Sequence, residues 1–334
     1  MTRKSKLAFT ASLILALAAA ATAPQIVVAK ELSLAYFMGP KHPMNKGIFT
    51  PFGEQLSNAS GGALTIKQFP GGALNKKPPA QYSILLDGVA DVVFTLPGYT
   101  ADVFPMTSVM GLPGICNTAV SCTEALQRAR PLLESEYKAK VLAMWTNAPA
   151  ILITKDAPVT KLSDLAGMKI RVASKGDVPF LRALGAAPIA QPVSVINQNL
   201  ANGVIDAIMT DPSAIRSFKL YEPGKFVTTW FPGSGSAFVL LMSNDVYNGL
   251  SGEEKAAVDK VSGAELSLGA AKAYDQAAEG GLKVALKNGV ELVEWAPGER
   301  EKVQAVIDAS MPAIKMQSVG NSTIGDIMKL MTGD

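Results

Sequence analysis

From Lys30 onward, short apolar runs with a two-residue alternation give way repeatedly to stretches with helical spacing, which predicts an α/β protein with largely parallel sheets. ELSLAYF (31–37) reads as a strand, PMNKGIFTPFGEQLSNAS (43–60) as a helix stopped by Gly61-Gly62, and ALTIKQF (63–69) as a strand stopped by Pro70-Gly71-Gly72. The helix PPAQYSILLD (78–87) ends on Gly88 as a C-terminal cap, and the strand ADVVFTL (90–96) follows it. SAFVLLM (236–242) is another apolar run of strand length. The stretch 251–289 reads as one long helix, with Ser251 as N-cap and Glu253 and Glu254 in the first turn, where they suit the helix dipole. The strand VELVEW (290–295) and a helix from Pro297 to about Lys315 complete the pattern. Within AGMKIRVASKGD (166–177) a buried strand carries Arg171 between Ile170 and Val172. A permanent charge in that setting needs a reason.

LLDGVADVVFT (85–95) and LANGVIDAIMT (200–210) share G-V-x-D-x-x-x-T in register, each reading as helix, glycine cap, buried strand, threonine. Chance can produce so short an echo. As a real repeat it implies two similarly built lobes, each bringing a strand's carboxyl end, at Thr95 and Thr210, to a shared crevice where ligands of open α/β sheets bind.

Composition changes this picture at its start. The chain opens with Arg3, Lys4 and Lys6, then an apolar run from Leu7 to Ala20, then small residues, the form of a cleavable secretory leader over residues 1–29. The cut is placed after Ala29; Ala23 is the alternative, disfavoured by the Pro24 that would follow it. Losing that leader removes three of the 31 basic residues and none of the 28 acidic ones, so the mature chain balances 28 against 28. That balance gives no support to nucleic-acid binding or to an anionic membrane surface, and no later apolar run is long enough to insert into a bilayer. The 334 residues, 48% of them hydrophobic, suffice for two domains with a core each. Cys116 and Cys122 lie outside any lipid-anchor context, so an exported product is expected free in the periplasm, with this pair either bonded in a disulfide or present as two buried thiols.

The chemistry-bearing residues are few. His42 is the one histidine, which leaves no zinc or iron ligand set and no serine triad, and its place before Pro43 suits a structural role. The glycine-rich phosphate loops G-x-G-x-x-G and G-x-x-x-x-G-K-[ST] are absent, so no cofactor, metal or catalytic group is expected. Tyr36, Phe37, Tyr99, Trp145, Trp230 and Phe231 fall at or near strand ends, as core rings or as the wall of a pocket. Arg171 either pairs with a protein carboxylate such as Asp211, reaches solvent, or holds an incoming acid.

The mature chain resembles the solute-binding proteins of tripartite ATP-independent periplasmic (TRAP) transporters over nearly its whole length. The likeness is carried by HPMNKGIF, FGEQLSNASGGALTIKQFPGGAL, LLDGVADVVF, KLSDLAGMKIRV, LGAAPIAQPVSVINQNLANGVIDAIMTDP, SFKLYEPGKFVTT and MSNDVYNGLSGEEKAAVD, in that order. The resemblance implies a two-lobed binding protein of the type II-like periplasmic class, not an enzyme, with lobes joined by crossing strands and a long bracing helix. One lobe would hold residues 30–150 and 236–275, the other 151–235 and 276–334. It implies closure on a small organic acid and delivery to sodium-driven TRAP permease subunits. The arginine of the family's G-x-K-x-R-V motif, here Arg171 after Gly167 and Lys169, would take the substrate carboxylate.

The chain departs from the sialic-acid-type members. Their second arginine falls at Ile151, and their polar contacts on the first strand and after the D-V-V-F-like strand fall near Phe37 and Leu96. A site with one arginine and apolar walls suits a monocarboxylate with a hydrophobic, aromatic or branched body. Asp211 stands as acceptor for a ligand hydroxyl or amine, or as a partner steadying Arg171. An ATP-driven uptake receptor, a sensory protein using the same cleft and an exported enzyme working with carboxylates alone are the rival readings.

Overall fold

The computed structural model describes residues 29–334, so the expected leader lies outside the described residues but for Ala29. Eleven strands form two sheets. They are β1 (Lys30–Ala35), β2 (Leu64–Phe69), β3 (Val92–Thr95), β4 (Lys140–Thr146), β5 (Ile151–Thr154), β6 (Lys169–Val172), β7 (Ala187–Ala190), β8 (Ala207–Thr210), β9 (Phe226–Thr228), β10 (Ala237–Met242) and β11 (Glu291–Val293). The first lobe holds the order β2-β1-β3-β10-β4 and the second β11-β9-β5-β8-β6-β7. β3, β5 and β10 are buried along their whole length, which is why they read as unbroken apolar runs.

The sheets are mixed. β1 runs parallel to β2 and β3, and β6 to β7 and β8, but β10 and β5 run antiparallel to both of their neighbours. The cause is the double crossing. The chain leaves the first sheet after β4 and enters the second as β5; it returns from β9 to the first as β10, so each incoming strand starts at the hinge end. The two crossings are tied together by the Ala150 amide to the Gly233 carbonyl (3.4 Å) and the Phe231 amide to the Ala150 carbonyl (3.3 Å).

The repeated G-V-x-D has the same structure in both lobes. Gly88 and Gly203 each take φ 70°, a left-handed turn that glycine adopts without strain. Three residues on, an aspartate reaches sideways to the neighbouring parallel strand: Asp91 Oδ2 accepts from the Ser33 amide and Asp206 Oδ2 from the Lys169 amide, both at 2.8 Å. Each strand is thereby set in register, and Thr95 and Thr210 end it.

The stretch 251–289, expected as one helix, is two, Gly252–Lys260 and Ala264–Lys287. Gly263, at φ 98°, makes the break, and its amide donates to the Leu142 carbonyl at 2.7 Å, fixing the joint to β4. The 24-residue second helix packs on β4 and the helix Ala119–Leu133 of the first lobe and on the short helix Ser213–Ser217 of the second. The tail then divides. Helix Glu299–Lys315 packs on Val178–Ala183 of the second lobe, whereas the last helix, Ile324–Thr332, returns to the first lobe against Ala119–Leu133, where Arg128 Nε donates to the Met331 carbonyl at 2.7 Å.

Candidate functional site

Strand alternation explains how a charge sits in β6. Ile170 and Val172 turn into the core with Phe180 and Leu181, so Arg171 between them takes the opposite face. Its side chain is 2% exposed and lies on the wall of a cavity between the lobes with an empty volume of about 660 Å³ counted out to its mouth. Nε donates to the Gln191 carbonyl at 2.9 Å and Nη1 to the Met209 carbonyl at 3.4 Å, both from its own lobe. Among the described residues no carboxylate forms an ion pair with it. Burial lowers its pKa, opposed by Tyr99, Asp177 and Asp211; a guanidinium nevertheless stays charged.

Asp211 is not its ion-pair partner. Oδ2 accepts from Asn147 Nδ2 at 2.8 Å and Oδ1 from the Ser213 amide at 2.9 Å, while Asn147 Oδ1 accepts from the Ser236 amide at 2.7 Å. One asparagine thus clamps both crossings to the cavity floor. Burial pushes the Asp211 carboxyl up from its ordinary range, and the bonds from Ser213 and Asn147 oppose that shift. The Tyr99 hydroxyl accepts from the Val193 amide at 3.0 Å, a bond from one lobe to the other.

The apolar wall is built of rings from both lobes. Phe37, Phe94, Tyr99, Phe238 and Tyr274 come from the first lobe and its bracing helix, and Phe218 from the second. Phe238 and Tyr274 stack at 5.2 Å with planes 6° apart. His42 belongs to this wall, 6.0 Å from the Phe218 ring and 6.3 Å from Tyr274, and burial lowers its pKa to about 4. It is a neutral imidazole whose Nδ1 accepts from the Met44 amide at 3.3 Å.

Of the residues expected at the site, Arg171, Phe37, Tyr99, Thr210 and Asp211 line the cavity. The others stand behind it. Trp145 is fully buried against Phe94 and Phe238, two rings that do face the cavity. Tyr36 stacks on Phe49 and donates from its hydroxyl to Gln68 Oε1 at 2.8 Å. Thr95 is buried, Ile151 packs with Ile153 and Ile208, Phe231 joins the core, and Trp230 lies under Arg300 at 4.3 Å from ring to guanidinium. Cys116 and Cys122 are bonded to each other, with Cα atoms 5.0 Å apart. His42, Asn147, Asp177, Phe218 and Tyr274 line the site without having been singled out for it. Among the described residues no group of three His, Cys, Asp or Glu side chains could hold a metal, and no helix is long and apolar enough to cross a membrane.

Known proteins share this fold. The model of the family described as "Bacterial extracellular solute-binding protein, family 7" matches residues 34–317. The C4-dicarboxylate-binding periplasmic protein of Rhodobacter capsulatus is 26% identical over 250 residues, 73% of this chain and 74% of its own. A crystal structure of a TRAP solute-binding protein from an unidentified marine microbe, described as specific for aromatic acid ligands and holding metahydroxyphenylacetate, is 28% identical. It superposes with a TM-score of 0.84 over 91% of this chain and 97% of its own. A TRAP periplasmic solute-binding protein of Bordetella bronchiseptica, with (R)- and (S)-mandelate bound, is 25% identical, with a TM-score of 0.78 over 91% and 98%.

Proposed function

The chain belongs to family 7 of the bacterial extracellular solute-binding proteins, and from that membership we propose that it captures a monocarboxylate with an aromatic or branched apolar body and delivers it to a TRAP-type permease. It is a TRAP solute-binding protein of a periplasmic family. The observation that carries the finer reading is Arg171, buried, tied at two nitrogens to carbonyls and, among the described residues, paired with no carboxylate, on a wall to which seven rings contribute. Such a fork offers a carboxylate two parallel charge-assisted bonds and removes the cost of a lone buried cation.

The rest of the wall narrows the choice of acid. Arg171 is its one cation among the described residues, so a second ligand carboxylate would be buried there without a charged partner. Ile151, buried at the place of the second arginine of sialic-acid-type members, adds no positive charge. Aromatic acids held by the marine and Bordetella neighbours agree with the ring-lined wall, while the Rhodobacter relative, named for C4-dicarboxylates, shows that the family extends to dianions.

A thermal-shift panel of benzoate, meta-hydroxyphenylacetate, mandelate, 4-methylpentanoate, succinate and a sialic acid tests the reading, because a ligand that binds only the folded form raises the melting temperature. The aromatic and branched monoacids are expected to stabilise the protein and the last two are not; stabilisation by succinate or the sugar acid alone overturns the proposal. The bound acid is expected back unchanged by mass spectrometry after incubation. A converted product would make the protein an enzyme.

A further inference from the structure

We propose that closure of the lobes captures a proton on Asp177, at a second site in the seam beside the cleft, so that ligand binding and proton binding are coupled. The proposal rests on the reading that the lobes close over an acid. Asp177 ends the turn Lys175–Asp177 of the second lobe and is 4% exposed, and its Oδ1 has no hydrogen-bond partner among the described residues. What covers it comes from the other lobe. A Cβ at Gly111 would stand 2.4 Å from that oxygen, and a small cavity that Thr107, Ser108 and Ser236 also line lies beside it.

The seam is built for close approach. A Cβ at Gly98 would come within 2.9 Å of the Ser174 Cβ, and one at Gly176 within 3.1 Å of the Ser108 carbonyl. At its outer edge Lys175 Nζ meets Asp102 Oδ2 at 2.5 Å, and the Val193 amide meets the Tyr99 hydroxyl at 3.0 Å. Parting the lobes removes this cover and hydrates the Asp177 carboxyl.

The charges around Asp177 do not compensate its burial. Arg171, from β6, attracts it without forming an ion pair, and the Ser174 amide helps; burial outweighs both and pushes the carboxyl up to about 7. From the first lobe come the neutral Tyr99 and, behind Thr107, Glu136, whose Oε2 accepts from the Thr107 hydroxyl at 2.7 Å. Asp211 faces the same cavity, and Lys175 is turned outward to Asp102. A ligand carboxylate on Arg171 offsets the guanidinium's attraction for the Asp177 carboxylate, which strengthens the carboxyl's hold on the proton. His42 works the other way. Closed between Phe218 and Tyr274, it gives up a proton in the range from its ordinary 6.5 down to about 4. The two exchanges have opposite signs, so the wild-type total conceals them and the difference on substitution reveals Asp177.

Calorimetric titration with meta-hydroxyphenylacetate at pH 6, in buffers of different ionisation enthalpy, counts the protons exchanged. Wild type is expected to take up about one more proton per acid bound than Asp177→Asn, or Asp177→Ala should the first variant not fold. Equal counts overturn the proton site and leave the cleft reading standing. If no acid of the panel binds, the cleft reading fails, and the proton site is read without ligand. The melting temperature of wild type minus that of Asp177→Asn is then expected to fall as pH rises from 3.8 to about 7, and parallel curves overturn the site.

Discussion

A guanidinium inside an apolar strand is anomalous, and alternation along β6 sends Arg171 away from Ile170 and Val172 to the cavity wall. Rings carry no such signal. Trp145, Tyr36, Trp230 and Phe231 share the strand-end location of Phe37 and Tyr99, yet which face a ring takes depends on crossing angles that sequence does not state. His42 escaped for a related reason: a lone histidine before a proline reads as structural, and its place on the cavity wall comes from Phe218, 176 positions on. Its burial has a measurable consequence. With the folded pKa lowered to about 4, its contribution to stability is present above 6.5 and lost as pH falls towards 4, a change on the order of 3 kcal/mol for a buried imidazole. Urea unfolding of wild type and His42→Gln between pH 7 and 4 should converge as pH falls; a constant separation would refute the neutral buried imidazole.

At the scale of elements, much of the helix and strand pattern was legible because stops such as Gly61-Gly62, Pro70-Gly71-Gly72 and Gly88 carry a glycine or proline with a backbone reason for being there. The aspartates of the repeated G-V-x-D show that the echo is structural, since both pin a parallel neighbour at equivalent register. Three features were not legible. The antiparallel entry of β5 and β10 follows from the crossings, the break at Gly263 from its tie to Leu142, and the return of Ile324–Thr332 to the first lobe from long-range packing. The bracing helix also sets the site, through Gly281. A Cβ there would stand 1.9 Å from the Pro212 carbonyl, next to Asp211. Gly281→Ala should therefore cost about 1–3 kcal/mol of stability by overpacking and weaken binding by moving the Asp211–Ser213 turn. Unchanged urea unfolding would show that the helix shifts freely.

For the whole molecule, closure is where the separate features meet. Lobe I supplies most of the rings and Gly98 and Gly111 of the seam, lobe II supplies Arg171, Asp177 and Gly176, and Asn147 fastens the crossings between them to Asp211. An acid that contacts both lobes favours the closed state by the difference between its contacts in the two states. The arginine is pre-set for this by carbonyls of its own lobe, so the charge is in place before the other lobe arrives. Calorimetric titration of wild type, Arg171→Ala and Arg171→Lys with meta-hydroxyphenylacetate tests that claim most directly. The alanine variant is predicted to lose about 2–5 kcal/mol of binding free energy with its unfolding curve intact, and the lysine variant most of the same amount, because an ammonium cannot present two parallel donors. A loss below about 1 kcal/mol in a folded Arg171→Ala protein, well under the usual effect of truncating a buried charged partner, would contradict it.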